Sequence, residues 1–264
     1  MTNIPPSRKL YTLEETKKHW ASATSQTKEF FQNTNSTMPT ENHARHTKDP
    51  EYQKYILAPI RDTPELWRGK TALDFGCGCG RNIKNLLEIA PWARVDGCDI
   101  SRLNAEYSKK YILESFDDDK CNTWESDGYG VSVDSDTRYD FVMSHIVFQH
   151  IANYSIRYHI LADIYRVLKP GGFVSLHFMD LDNSGRAAPY YENYPISMAP
   201  AEDAPRASRT SFNLSPSWAM KNCVVRDENY LIMDFEEIGF RDVVCHTGTD
   251  PYSGKKSYYV WGSK

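Results

Sequence analysis

The stretch "ALDFGCGCGRN", residues 72–82, sets Gly76, Gly78 and Gly80 at alternate positions around Cys77 and Cys79, directly after a short apolar run and directly before a helical one. Glycine has no Cβ to block a ligand's approach to the backbone, and it adopts φ values closed to most other residues. A strand ending in Asp74, a glycine turn and a helix N-terminus therefore make a place where a ligand can lie against backbone N–H groups. The spacing is GxGxG. In a dinucleotide-binding fingerprint, GxGxxG, the third glycine would stand where this chain has Arg81, which argues against NAD and FAD. The two cysteines look like a metal pair, but alternate residues of a tight loop do not readily face one ion and no histidine is close in sequence, so no metal is expected.

Such a loop works only if elements on both sides hold it. From residue 70 to 179, short β-rich runs alternate with helical ones, the pattern of a parallel α/β sheet. The strands expected are "TALDF" (71–75), "RVDGCDI" (94–100), "CNTWES" (121–126), "YDFVMSH" (139–145) and "GFVSLHFM" (172–179). The helices expected between them are "RNIKNLLEIA", "RLNAEYSKKYILESF" and "NYSIRYHILADIYRVLK". The last sets Tyr154, Tyr158, Leu161, Tyr165 and Leu168 on one face and is ended by "KPGG", whose proline and glycines cannot continue a helix. A further helix, "DENYLIMDFEEIG", and two strands, "RDVVCHT" and "KKSYYVWGS", complete the pattern.

Two regions read differently. Residues 1–68 are polar, with helical stretches at 12–31 and around "DPEYQKYILAPI", and are closed by Pro59 and Pro64; a helical lid is the expectation. Residues 69–264 form the main domain, interrupted at about 180–226 by a segment rich in Pro, Ser, Ala and Tyr with little periodicity, read as a loop-heavy cap over the sheet.

Bulk properties narrow the function classes. The 264 residues are 40% hydrophobic and 25% charged, ordinary for a globular protein. No apolar run approaches the roughly 20 residues that span a bilayer, and "MTNIPPSRKL" lacks the apolar centre of a secretory signal, so a cytoplasmic protein with no membrane partner is expected. A net charge of −4 and a pI near 6.1 give no overall reason to bind nucleic acid. The six cysteines are scattered and read as free thiols.

The run Asp74-Phe75-Gly76-Cys77-Gly78-Cys79-Gly80 resembles motif I, (E/D)xGxGxG, of the class I S-adenosylmethionine-dependent methyltransferases. Asp99 at the end of "RVDGCDI", "SDG" at 126–128, "YDFVMSHIVFQHI" and "LKPGGFVSLH" follow in the family's order. The resemblance implies a doubly wound, mostly parallel seven-stranded sheet of order 3-2-1-4-5-7-6. It also implies that S-adenosylmethionine lies across Asp74, Gly76, Cys77, Gly78, Gly80, Arg81 and Asn82. Asp99, followed by Ile100 and Ser101, would take the ribose hydroxyls, an acceptor-only carboxylate suiting a diol. Asp127 and Gly128 would read the adenine, and Ser144 and His145 would line the methionine part. Trp20 and Arg45 are candidate lid residues, Arg45 as partner of the cofactor's carboxylate.

For chemistry, His145 and His150 are the candidate general bases, since histidine accepts a proton near neutral pH. Gln149, Tyr190, Tyr191, Tyr194 and Arg186 are candidate substrate contacts, the tyrosines for an amine or sulfonium. The acceptor is expected to be a small molecule, through O, N or S. The (N/D/S)PP(Y/F/W) motif of enzymes acting on a nucleic-acid amino group is replaced here by "SHIV". A protein or nucleic-acid acceptor, and a different group transfer with the same cofactor, are the alternatives, and oligomeric state is left open.

Overall fold

The computed structural model describes residues 17, 50–148, 151, 154–179, 210–212, 223–225, 228–249 and 256–264. The strands β1 (Thr71–Phe75), β2 (Arg94–Asp99), β3 (Thr123–Glu125), β4 (Tyr139–Ser144), β5 (Leu168–Met179), β8 (Arg241–Thr249) and β9 (Lys256–Ser263) form one sheet, ordered β3-β2-β1-β4-β5-β9-β8. Numbered within that sheet alone, this is the expected 3-2-1-4-5-7-6. The first five strands are parallel, and β9 runs antiparallel to both β5 and β8.

Helices cover both faces, which is why β1, β2 and β4 are almost continuously buried instead of alternating. One face packs Leu73, Phe75, Val142, Val174 and Leu176 against α5 (Tyr154–Val167) and α6 (Glu228–Ile238), through Ile160, Ile164, Leu231 and Phe235. The other packs Ala72, Val95, Phe141, Met143 and Tyr259 against α3 (Arg81–Ile89) and α4 (Arg102–Leu113), through Ile83, Leu86 and Ile112. The core-facing stripe of α5 includes Leu161 as expected, but its other members are Ile160, Ile164 and Val167, while Tyr158 and Tyr165 are only half-buried. The helix also ends earlier than expected, at Val167. "KPGG" lies within β5, with Gly171 at φ 76° and its N–H donating to the Lys264 carbonyl at 2.7 Å.

Within the region 1–68, the contiguous turns α1 (Pro50–Tyr52), Gln53–Leu57 and α2 (Ala58–Arg61) bury Tyr52, Ile56, Leu57 and Ile60 in the second core. An α-helical ladder would bring the amide of residue 59 to the Tyr55 carbonyl, but Pro59 has no N–H. That carbonyl instead accepts from Ser175 Oγ of β5 at 2.7 Å and Trp261 Nε1 of β9 at 2.8 Å. The proline thus releases an acceptor that fastens this segment to the sheet. Within the segment read as a loop-heavy cap, β6 (Thr210–Phe212) and β7 (Cys223–Val225) pair as a small antiparallel ribbon.

Candidate functional site

The glycine loop leaves β1 at Phe75 and enters α3 at Arg81, with Gly76, Gly78 and Gly80 at φ 73°, 52° and 88°. All three lie in the left-handed region that favours glycine, yet their surroundings differ. A Cβ at Gly76 would collide with the side chain of Val147, and one at Gly80 would meet the Ser108 backbone at 3.1 Å. A Cβ at Gly78 would have nothing within 4 Å. The outer two glycines therefore let the loop pack against the protein, and the middle one faces open space.

Two carboxylates stand at the root of the loop and at the tip of the next strand. Asp74 is wholly buried at the end of β1; Asn82 Nδ2 donates to its Oδ1 at 3.4 Å, while Oδ2 has no hydrogen-bond partner among the described residues. Burial pushes its pKa up to about 7, against the opposing effects of the Asn82 bond and the Arg81 charge. Arg81 itself is half-buried and turns its Nε to Asn82 Oδ1 at 3.2 Å.

Asp99, at the tip of β2, accepts from the Gly78 N–H at 2.9 Å on Oδ2, and from the Ser101 N–H at 2.8 Å and Asn104 Nδ2 at 3.1 Å on Oδ1. Its pKa is raised by burial, and these donors partly offset that rise. Ser101 caps α4, its Oγ accepting from the Asn104 N–H at 3.4 Å, and Ile100 is half-buried between the two. The Ser126 N–H donates to the Asp99 carbonyl at 2.8 Å, which brings the "SDG" loop beside the tip of β2. There Asp127 Oδ1 accepts from the N–H groups of Tyr129 and Gly130 at 2.8 and 3.2 Å, and Gly128 has φ 87°.

Burial keeps both loop thiols protonated. Cys77 is buried against Gly97, with burial pushing its thiol well above the usual range, and burial pushes Cys79 up to about 12. Among the described residues there is no cluster of histidine, cysteine and carboxylate groups able to hold a metal ion.

At the end of β4, Ser144 Oγ donates to the Phe75 carbonyl at 2.8 Å, joining β4 to the root of the glycine loop. His145 is buried, its ring centroid 4.7 Å from that of Tyr52, 4.9 Å from His177 and 6.3 Å from Tyr259. Trp20, Arg45, Gln149, His150, Arg186, Tyr190, Tyr191 and Tyr194 lie outside the described residues. Sequence reasoning missed Asn104, Val147 and His177, which shape this site from α4, the turn after β4 and β5. Only Asn104 left a trace, three residues beyond an N-capping serine.

Residues 72–172 match the family model described as a methyltransferase domain. No curated protein matches the sequence. Among solved structures, the fold is shared with magnesium protoporphyrin IX methyltransferase (ChlM) from Synechocystis PCC 6803, with bound S-adenosylhomocysteine, at 13% identity and TM-score 0.62 over 96% of this chain and 99% of that one. It is also shared with 1,6-didemethyltoxoflavin-N1-methyltransferase of Burkholderia thailandensis, at 15% identity and TM-score 0.61 over 100% and 98%. A third, the S-adenosylmethionine-dependent methyltransferase SibL in its apo form, is 20% identical with TM-score 0.51 over 81% of this chain, which spans only 55% of SibL's length. The stretch that carries the glycine loop, the acidic strand tips and the strands as far as β5, residues 72–172, is thus the part that matches a methyltransferase domain, and the chain's seven-stranded sheet is the fold shared with these solved methyltransferases.

Proposed function

We propose that the protein transfers the methyl group of S-adenosylmethionine to an O, N or S atom of a small molecule. The observation that carries this is the space at Gly78, which a Cβ would enter without touching protein, beside the Asp99 carboxylate that accepts the Gly78 N–H; a wholly buried Asp74 oxygen with no hydrogen-bond partner among the described residues lies at the root of the same loop. These groups fit the cofactor. Asp99 suits the ribose hydroxyls, Asp127 and Gly128 would take the adenine, and the turn after Ser144 would line the methionine end. The bound cofactor supplies a methyl group on a positively charged sulfur, which departs neutral and needs no acid.

What the chain contributes is placement and exclusion of water. Holding two reacting atoms in line at contact distance can supply about 7–11 kcal/mol of the barrier, so a base is required only where the nucleophile arrives protonated. The small-molecule acceptor is supported by two fold relatives named for small-molecule substrates, magnesium protoporphyrin IX and 1,6-didemethyltoxoflavin, and by the absence from the turn after β4 of the Pro-Pro motif that docks a flipped base. A cytoplasmic location is in keeping with the finding that no helix among the described residues is long and apolar enough to cross a membrane. Calorimetry should show S-adenosylmethionine and S-adenosylhomocysteine binding while NAD and ATP do not. Incubation with methyl-labelled cofactor and a metabolite extract should then yield a labelled small product. Absence of binding by either sulfur nucleoside would end this reading, and label recovered only in protein or nucleic acid would overturn the acceptor class.

A further inference from the structure

We propose that His177 is a positioning residue for the cofactor site, its Nδ1 locking the turn after β4 against the glycine loop. The inference rests on the methyl-transfer reading above.

The β4–β5 ladder has its last pair at Ser144 and Leu176. Immediately beyond it the chain must leave the sheet, and it does so through Ile146 at φ 62°, a conformation that a β-branched residue adopts only under strain. Something has to hold that residue there. The Ile146 N–H is not left to water: it donates to His177 Nδ1 at 3.2 Å. Since the partner is a backbone donor, Nδ1 must carry a lone pair, so His177 serves in its neutral form with the ring proton on Nε2.

The next residue explains why this matters to the cofactor. Val147 fills the space left by the missing Cβ of Gly76, so closely that any side chain at position 76 would collide with it. The contacts therefore run from His177 to Ile146, from Val147 to Gly76, and along the loop to Gly78, whose N–H is fixed to Asp99. His177 is itself buried, paired across the ladder with Tyr259 and in ring contact with Tyr259 and His145, so its imidazole has little freedom to turn away. Releasing the Ile146 N–H would let the strained residue relax and shift Val147, and the loop would lose the shape that fits a ligand.

The test compares the full-length protein with three single variants, His177→Asn, His177→Gln and His177→Leu, reading S-adenosylhomocysteine affinity by calorimetry and Tm by calorimetric melting. Asparagine Oδ1 occupies nearly the place of Nδ1 and accepts the same N–H. Glutamine carries its carbonyl one methylene further out, and leucine has no acceptor. We expect His177→Asn to stay within about 3-fold of wild type, and His177→Gln and His177→Leu to bind roughly 5- to 20-fold more weakly, the size of one lost hydrogen bond plus relaxation of the turn. Asparagine and glutamine variants with equal affinity, whether both weak or both wild-type, would overturn the proposal even if the leucine variant failed to fold. A wild-type protein that does not bind S-adenosylhomocysteine would instead remove the methyl-transfer reading on which it rests.

Discussion

The backbone N–H of Gly78 donates to Asp99 Oδ2 at 2.9 Å, so the middle glycine of the loop after β1 and the carboxylate at the tip of β2 are one hydrogen-bonded unit. Asp99 already accepts from two further donors, Ser101 N–H and Asn104 Nδ2. Both of its oxygens are engaged, and a carboxylate has about four lone-pair sites in all. The residue expected to hold the ribose is therefore also the residue that sets the loop.

This double role predicts that Asp99→Asn is as damaging as Asp99→Ala. Asparagine has one acceptor oxygen, so its NH2 group would face either the Gly78 N–H or the two donors on the other side. Cofactor affinity by calorimetry should fall by roughly 1.5–3 kcal/mol for either variant, the scale of lost charge-assisted hydrogen bonds. An asparagine variant of wild-type affinity would mean that only the shape of the side chain matters.

Asp74 predicts a trade between stability and binding. Its folded pKa, about 7, lies above the ordinary 3.8, so the fold favours the neutral carboxyl. That contribution is fully present below about pH 4, where the group is neutral folded or unfolded. It is lost as pH rises towards 7 and is absent above it. Asp74→Asn should consequently raise the stability of the free protein at pH 8, by at most about 4 kcal/mol for a shift of this size, and leave it nearly unchanged at pH 4. The same variant should weaken S-adenosylmethionine, whose positive charge favours a nearby carboxylate. Melting curves at the two pH values and one titration check both halves.

Gly78 and Gly80 should separate by mechanism. Gly78→Val places a side chain in open space at φ 52°, so the fold should survive with about 1–3 kcal/mol of backbone strain while ligand binding is lost. Gly80→Ala drives a Cβ to 3.1 Å from the Ser108 Cα and should lower Tm more than Gly78→Ala does. Melting temperature and S-adenosylhomocysteine affinity, measured on all three variants, distinguish a glycine kept for the ligand from one kept for packing.

The parts of this site legible in the sequence are those carried by local chemistry: three glycines after a strand, an acidic residue ending the next strand, and a capping serine behind it. What escaped is set by register between distant strands. Nothing in "SHIVF" announces that Ile146 takes a positive φ or that its N–H meets a histidine on β5, because that contact exists only once Ser144 pairs with Leu176. The stripe on α5 was ambiguous for a related reason. Ile160, Leu161, Ile164 and Val167 and the tyrosines at 158 and 165 both follow helical spacing, and the sheet, not the period, decides which of them faces inward. Pro59 was read as a terminator, whereas the carbonyl it frees is what joins the 50–61 segment to the sheet.

The last prediction concerns His145, the residue nearest the end of β4 that could take a proton. Its ring lies between Tyr52, His177 and Tyr259 and is only 4% exposed, so a nucleophile would have to displace an aromatic neighbour to reach it. Aromatic contacts of this kind are worth about 0.5–1.5 kcal/mol each beyond the area they bury. His145→Ala should therefore act first on the fold, lowering Tm by several degrees. Turnover, once an acceptor is identified and measured well below that Tm, should fall by less than about 10-fold, with cofactor affinity changed little. A general base behaves otherwise: its removal lowers turnover by about 10²- to 10⁴-fold and abolishes the rise of rate with pH through the histidine range near 6–7. Comparing His145→Ala with His145→Phe, which restores the ring but no nitrogen, separates the two. If phenylalanine recovers both Tm and turnover, the ring is packing and proximity alone carries the transfer; if it recovers Tm but not turnover, His145 is the base.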